Sequence, residues 1–424
     1  MSSILLLLFC VSILASVIFK FSILISLCFG LVIFVSFAIL KGFSVKEVFG
    51  MCFDGIKTTK NILILLVLLG FLTSLWRSSG TITYIISVSS NLIFPKIFIL
   101  VTFLLCSLIS TLTGTAFGTA ATIGSICMTF ASSFEINPYW TGGAILSGVY
   151  FGNRISPISS IALLTSSVTK TNIYSNIKKM IPSTILPFVI SCVIYGLAGI
   201  FIQDAKIDVN ISEMFEKEFN LNFLCFLPAI SILVMSIFKM NVSLTLFSSI
   251  IIAFFVSLFS QKIPLVDLLK SLIFGFVPKT QIHGIGGGGF LSMLKVLIIV
   301  LIASVYGGIF KKTRMLDFVK EKIQKLAQKT NSFFAILLTS ILSSFIVCNQ
   351  TLTIIITNQL CDTLEDNEKL SLDFFNSSVV VAPLVPWSVA ALTALSSASA
   401  PIESIAFACF LYLVPIFFAL RGKM

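Results

Sequence analysis

Long apolar segments, interrupted at corresponding places in its two halves, leave this chain few ways to fold. Residues 4–60 run apolar segment, short basic break, apolar segment, then the amphipathic stretch GFSVKEVFGMCFDGIK (42–57). Residues 221–280 give the same order: LNFLCFLPAISILVMSIF, Lys239, a second apolar run, then IPLVDLLKSLIFGFV (263–277). At a shift of about 220 residues Glu47 meets Asp267, Val48 meets Leu268 and Gly55 meets Gly275. Long internal repeats with matched interruptions point to a carrier of the secondary-transport type, with its site at the interruptions.

Composition identifies the solvent. Hydrophobic residues make up 57% of the chain and charged residues 11%, with a mean hydropathy of +1.09, far from the balance of a soluble domain. Apolar segments near 4–19, 21–40, 61–76, 97–112, 180–202, 221–238, 241–260, 290–310, 332–347 and 402–420 span or nearly span a bilayer. Several fall short of the ~20 residues a straight crossing needs, so tilt or a broken partner segment supplies the rest. The first run lacks a basic leader and a small-residue cleavage site, and a second span follows at once, so it is read as retained. The expectation is an all-α polytopic membrane protein whose partner is the lipid bilayer.

The 10 cysteines are scattered singly through apolar stretches, as small packing residues are. With a single histidine, His283, a multi-histidine metal centre is excluded, and neither a structural metal nor a cofactor is expected. There is no HExxH, and no Ser or Cys nucleophile has a spacing that pairs it with His283, so the chain does not read as an enzyme. His283 beside GIGGGG (284–289) is weak support for pH sensing. That run lacks the GK[ST] ending of a phosphate loop, so it reads as a flexible lead into the span at 290.

The net charge of +11 is distributed as an orientation signal, not as a nucleic-acid footprint. Basic residues concentrate at 311–329, at Lys41, Lys46, Lys57 and Lys60, and at Lys170, Lys178 and Lys179, while 203–218 and 362–373 are acid-rich. Basic loops stay in the cytoplasm. With 41–60 and 311–329 inside and 203–220 outside, both termini fall in the cytoplasm and 262–280, the counterpart of 41–60, falls outside. The plan is therefore two inverted-topology repeats, 1–202 and 221–424, joined by an acidic external loop at 203–220, in the cytoplasmic membrane. The Lys170–Lys179 group fits only if the chain re-enters or crosses again nearby.

Four stretches break the helices at the midplane. STLTGTAFGTAATIGS (110–125) pairs with SSFIVCNQTLTIIITNQ (343–359), and SGVYFGNRISPISSIALLTSS (147–167) with VVVAPLVPWSVAALTALSS (379–397). Gly114, Gly118, Gly152, Pro157, Pro383 and Pro386 are the breakers. Backbone broken at this depth is tolerated only when buried in protein or lining a wet cavity. Exposed carbonyls with Thr113, Thr115, Thr119, Ser156, Ser159, Thr351 and Ser388, and the amides of Asn153, Asn349 and Gln350, are hard ligands suited to Na⁺. Helix N-termini at the same breaks favour anions. The alternative is that small residues here simply let helices pack closely.

Arg154 costs about 2.5–3.5 kcal/mol to insert, so it needs a partner. No acid lies within 15 residues on either side. Its partner comes from elsewhere in the fold, from carbonyls or from a bound anion, and it reads either as a substrate-carboxylate or gating arginine, or as a structural salt bridge or interface snorkel. Asn349, Gln350 and Thr351 either cap a broken helix or coordinate the solute. Trp387 reads as packing or interfacial, and Asp54 and Glu403, near span ends, as structural.

At these residues the chain resembles the NhaC-type Na⁺/H⁺ antiporter family of the ion-transporter superfamily. The resembling stretches are GFLTSLWRSSGTI (70–82), TGTAFGTAATIG (113–124), YFGNRISPISS (150–160), GGGGFLSMLKVLIIVLIASVYGGIF (286–310), NQT (349–351) and APLVPWS (382–388). The resemblance implies secondary active transport with a rocking or elevator-type cycle, commonly H⁺ driving Na⁺ out, and homodimers. Some relatives exchange organic acids or handle amino acids. The family's FGD[KR]-SP-S pattern maps onto Phe151, Gly152, Asn153, Arg154, Ser156, Pro157 and Ser159. Here an amide stands at Asn153 where the pattern has an aspartate, and Asn349 replaces an acid many members carry. Amides do not titrate, so exchange of Na⁺ for H⁺ rests on the resemblance alone. The other expectation is a Na⁺-coupled or exchanging carrier of a small organic carboxylate or amino acid, without proton exchange and with Arg154 on the carboxylate.

Overall fold

A computed structural model describes residues 2–19, 21–89, 95–157, 159–201, 219–238, 240–278, 286–313 and 320–421. The expected acidic loop 203–218 and His283 lie outside these residues. The described chain contains 21 α-helices and no strand, only an isolated bridge between Phe276 and Gly287. Thr59–Ser78, Lys96–Thr113, Ile173–Phe201 and Phe290–Phe310 are each long and apolar enough to cross a bilayer, and Asn367–Leu384 with Val389–Ser397 forms one more candidate, bent by 62°. Several of the other apolar segments form shorter helices, among them Leu24–Leu40, Ser243–Phe259, Ser332–Val347 and Cys409–Leu420.

The helices are α1 (Ser2–Ile18), α2 (Ile23–Leu40), α3 (Val45–Ser78), α4 (Thr81–Ser89), α5 (Pro95–Thr113), α6 (Ala116–Thr119), α7 (Ser125–Ser133), α8 (Pro138–Ile155), α9 (Ser160–Val168) and α10 (Ile173–Phe201). They continue as α11 (Leu227–Ile237), α12 (Val242–Phe259), α13 (Leu265–Phe274), α14 (Phe290–Thr313), α15 (Lys320–Lys329), α16 (Ser332–Val347), α17 (Gln350–Cys361), α18 (Asn367–Asn376), α19 (Ser378–Val381), α20 (Val389–Ser397) and α21 (Cys409–Arg421). A π-turn over Ala120–Gly124 joins α6 to α7 as one continuous apolar helix, Ala116–Ser132.

Small residues let the central helices touch backbone to backbone, which is how helices associate in lipid. Between α3 and α14, a Cβ on Gly55 would overlap the Ser304 carbonyl and one on Gly308 the Met51 carbonyl. The Thr59 and Ser304 hydroxyls meet at 2.6 Å in the same seam. Between α5 and α8, Ser110 Oγ donates to the Val149 carbonyl at 2.6 Å. Gly55 and Gly275, which meet at the sequence shift of about 220, do different work: Gly55 sits inside a 34-residue helix, whereas Gly275, at φ +94°, ends α13.

Charge sorts the two ends of the bundle. Lys41 Nζ donates to the Thr313 carbonyl at 2.9 Å, Lys312 pairs with Asp54 at 3.1 Å, Lys320 with Asp362 at 2.8 Å, and Lys179 with Glu368. The three basic groups therefore share one face, and the acid-rich 362–368 stretch joins them there. The Lys170–Lys179 group follows the broken helix pair α8–α9, and the pairing of Lys179 with Glu368 brings it to this face. At the other end Gln261 Nε2 donates to the carbonyls of Ser79 (3.2 Å) and Asn220 (3.1 Å).

Two helical hairpins enter from these opposite faces. From the far face α5 descends to Gly114, and Ala116–Ser132 climbs back until the Phe98 and Phe130 rings are 6.3 Å apart. From the basic face α16 runs in to Cys348, and α17 returns to Asp362, whose carboxylate holds Lys320. The broken crossings α8–α9 and α18–α20 pass beside the two hairpin tips.

Candidate functional site

Each interruption is built the same way. The hairpin tips turn through a left-handed residue, Gly114 (φ +68°) or Cys348 (φ +57°), and restart at an N-cap. Thr115 Oγ1 accepts from the Gly118 N–H at 3.1 Å and Asn349 Oδ1 from the Leu352 N–H at 3.3 Å. In the broken crossings Ser159 Oγ accepts from the Ala162 N–H at 3.3 Å, and Ser388 Oγ from the Ala391 N–H at 3.1 Å. Such caps satisfy one orphan donor per helix and leave the first N–H groups without an intrahelical acceptor.

The four restarts converge on a cavity of about 190 Å³. That is roughly the room of six waters at ~30 Å³ each, small beside the pockets of drug-sized ligands. Its wall consists of Thr115, Ala116 and Phe117 from one tip, Asn349, Gln350 and Thr351 from the other, Asn153, Ser160 and Ile161 from the first broken crossing, and Val389 and Ala390 from the second, with Ile62 of α3. The breaks are bonded to one another: Val389 N–H donates to the Cys348 carbonyl at 2.8 Å, and Tyr150 Oη to the Ala390 carbonyl at 3.0 Å. Among the described residues no carboxylate lines the cavity. Four helix N-termini, each carrying about half a positive charge, face it instead.

Of the residues singled out in the sequence, Thr115, Asn153, Asn349, Gln350 and Thr351 meet at this cavity. Asn153 is buried, and its Oδ1 accepts from Ser159 Oγ at 2.7 Å. Gln350 Nε2 donates to the Val379 carbonyl at 2.7 Å, which ties the hairpin tip to α19. The other polar candidates hold the breaks in shape behind the wall. Thr113 Oγ1 donates to Ile109 (2.9 Å), Thr119 Oγ1 to the Thr115 carbonyl (2.8 Å) and Ser388 Oγ to Ala382 (2.7 Å). Ser156 Oγ is buried without a partner among the described residues. Pro157 lies in the first break, and Pro383 and Pro386 flank Leu384 and Val385 in the second. Gly152 packs on α5.

Arg154 points away from the cavity and is fully buried. Its Nε donates to the Phe375 carbonyl at 2.9 Å, Nη1 to Thr184 Oγ1 at 2.6 Å, and Nη2 to Asn376 Oδ1 at 2.6 Å and Ser183 Oγ at 3.5 Å. Its contacts are neutral acceptors on α10 and at the α18–α19 junction, neither the acid of a salt bridge nor an interface. Trp387 is likewise a packing residue, with Nε1 on the Phe345 carbonyl at 3.0 Å. Ala116, Phe117, Ser160, Ile161, Val389 and Ala390 were not evident from sequence, because they face the cavity as first-turn residues and not through distinctive side chains. The signal that finds them is position, one or two residues after an N-cap.

A helical membrane bundle with a small cavity at opposed hairpin tips and broken helices has the build of a secondary transporter. Comparison with family models agrees: the chain belongs to the Na⁺/H⁺ antiporter family, whose model matches residues 1–164 and 148–421. It is 25% identical over 397 residues to the "Malate-2H(+)/Na(+)-lactate antiporter" of Bacillus subtilis (strain 168), covering 88% of this chain and 84% of that one. It is 27% identical over 397 residues to "Na(+)/H(+) antiporter NhaC" of the same organism, covering 90% and 88%. To the "Arginine/ornithine antiporter ArcD" of Halobacterium salinarum it is 24% identical over 381 residues, covering 86% and 78%.

Proposed function

We infer that this chain is an antiporter whose central cavity takes a small carboxylate, free or as the carboxylate end of an amino acid. One observation carries the reading: four helix N-termini and the amides of Asn153 and Asn349 surround a cavity that no acidic side chain of the described residues enters. First-turn N–H groups and the positive helix ends hold an anion by the physics that holds phosphates at such termini. The volume suits a solute of a few carbons. The malate, lactate and arginine exchange named for two relatives supports this reading.

Exchange of Na⁺ for H⁺ is the second reading, favoured by the NhaC relatives. Na⁺ would sit against carbonyls and hydroxyls of the tips, beside Thr115 and Thr351, as the coupling or transported ion. Competition between Na⁺ and H⁺ at one point needs a group that binds both, and the cavity wall has none. In this proposal the two halves are inverted copies, the basic face is cytoplasmic, and the hairpins alternately open the cavity to either side.

The test uses purified protein in liposomes with an internal pH dye and an imposed pH difference. Malate, lactate, arginine or NaCl is added outside, and radiolabelled counterflow is followed in parallel. Saturable counterflow of an organic solute, with NaCl alone leaving the gradient intact, is the expected result. Saturable collapse by NaCl alone, with no organic counterflow, selects Na⁺/H⁺ exchange instead.

A further inference from the structure

Asp373 and Arg154 are the two fully buried charged residues among those described, and only Arg154 has its polar atoms engaged. Asp373 Oδ2 has no hydrogen-bond donor among the described residues. Its helix starts at Asn367 on the basic face, so Asp373 lies roughly 9 Å along the axis at 1.5 Å per residue. The charges acting on it come from Glu365, Lys369 and Asp366, and Cys361 faces it from α17. Lys369, one turn earlier, holds Glu365 at 2.8 Å. Helices α9 and α16, packed against α18, carry no ionisable side chain. The ionisable residues of α10 are Tyr174, Lys178, Lys179, Cys192 and Tyr195, of which Lys179 is paired with Glu368, and those of α21 are Cys409, Tyr412 and Arg421. A carboxylate oxygen sealed from water without a donor is among the costliest groups to bury, and a bound proton removes that cost.

We propose that Asp373 is a proton-binding site of this protein, loaded from the basic face and coupled to the cavity through Asn376 and Arg154. In the described conformation the carboxyl holds H⁺ as a neutral acid. Releasing it leaves a carboxylate that must reach water or a donor, so α18 has to move. Asn376 lies one turn further along that helix and accepts from Arg154 Nη2 at 2.6 Å. Arg154 adjoins Asn153, which lines the cavity. A shift of α18 is thereby passed to the end of α8 and to the cavity wall. Proton movement can then accompany solute movement although the cavity holds no titratable group. That coupling rests on the carrier reading above, while proton binding by Asp373 does not.

Two measurements separate them. Infrared spectroscopy of the purified protein at neutral pH reads the protonated-carboxyl stretch directly. The band is expected in the wild type and lost in Asp373→Asn. Isotope labelling of aspartate carboxyls makes the same assignment without a substitution, should the variant not fold. Absence of an aspartate-derived protonated band at neutral pH overturns the proposal, as does a band the variant retains. In liposomes Asp373→Asn is expected to keep solute counterflow and lose at least nine-tenths of the accompanying H⁺ movement, with Asp373→Glu restoring it. Undiminished H⁺ movement in Asp373→Asn overturns the coupling. If the wild type moves no organic solute, the carrier reading falls, and the infrared band still decides the proton site.

Discussion

The Ser159 hydroxyl donates to Asn153 Oδ1 at 2.7 Å, and in the same break it accepts from the Ala162 N–H. One serine thus caps α9 and orients the amide of α8, and the oxygen it holds would equally be a carboxylate oxygen.

Asn153→Asp keeps that acceptor and adds a negative charge where an anion is to bind. Carboxylate counterflow should fall at least tenfold, since like charges a few ångströms apart in a partly dry site oppose each other by more than ~1.4 kcal/mol. A pH-dependent Na⁺ response should appear with it. Unchanged counterflow in the variant would count against the anion reading.

Arg154→Lys keeps the charge but loses the planar fork that serves four acceptors. Stability should fall by about 1–3 kcal/mol, as buried acceptors lose their donor. Thermal unfolding in detergent reads this, and counterflow KM in the surviving protein should stay within about twofold. A raised KM with an unchanged melting curve would return Arg154 to the solute.

Gly308→Ala places a methyl group on the Met51 carbonyl and should separate α3 from α14 at a cost of about 1–3 kcal/mol. Gly50→Ala on the same α3 meets nothing within 4 Å and should stabilise by about 0.5–1 kcal/mol. Parallel melts of the two variants test whether the seam, and not glycine content, is what matters.

Cys348 holds φ +57° at a hairpin tip, a conformation costing about 1–2 kcal/mol for a residue with a Cβ. Cys348→Gly should be near neutral, relief of strain offsetting lost packing. Cys348→Val should destabilise by more than that and slow counterflow, because a β-branched residue resists the left-handed region. Equal behaviour of the two would show that the tip's handedness is not limiting.

Much of the site was legible because its signals are local. Gly114, Pro157, Pro386 and the capping residues Thr115, Ser159, Asn349 and Ser388 mark helix ends through their own backbone and side-chain chemistry. What was not legible depends on distant parts of the chain. No spacing tells that Arg154 turns toward Thr184 and Asn376, or that Ala116–Ser132 doubles back beside α5. Asp373 read as part of an acid-rich surface stretch, yet its helix carries it inward while Asp362 and Glu368 stay exposed. Cavity-facing Ala116, Ile161 and Ala390 look like ordinary apolar residues, since periodicity reports side chains and these reach the cavity by their place in a helix's first turn.

On the anion reading the main chain supplies most of the donors at the cavity, so a conventional alanine scan would pass over that surface almost without effect. The groups that matter survive every substitution except proline, or an ester in place of the amide, at positions such as Ser160 and Gln350. Relatives with few side chains in common can for the same reason hold one kind of solute, provided their helices begin at the same four points.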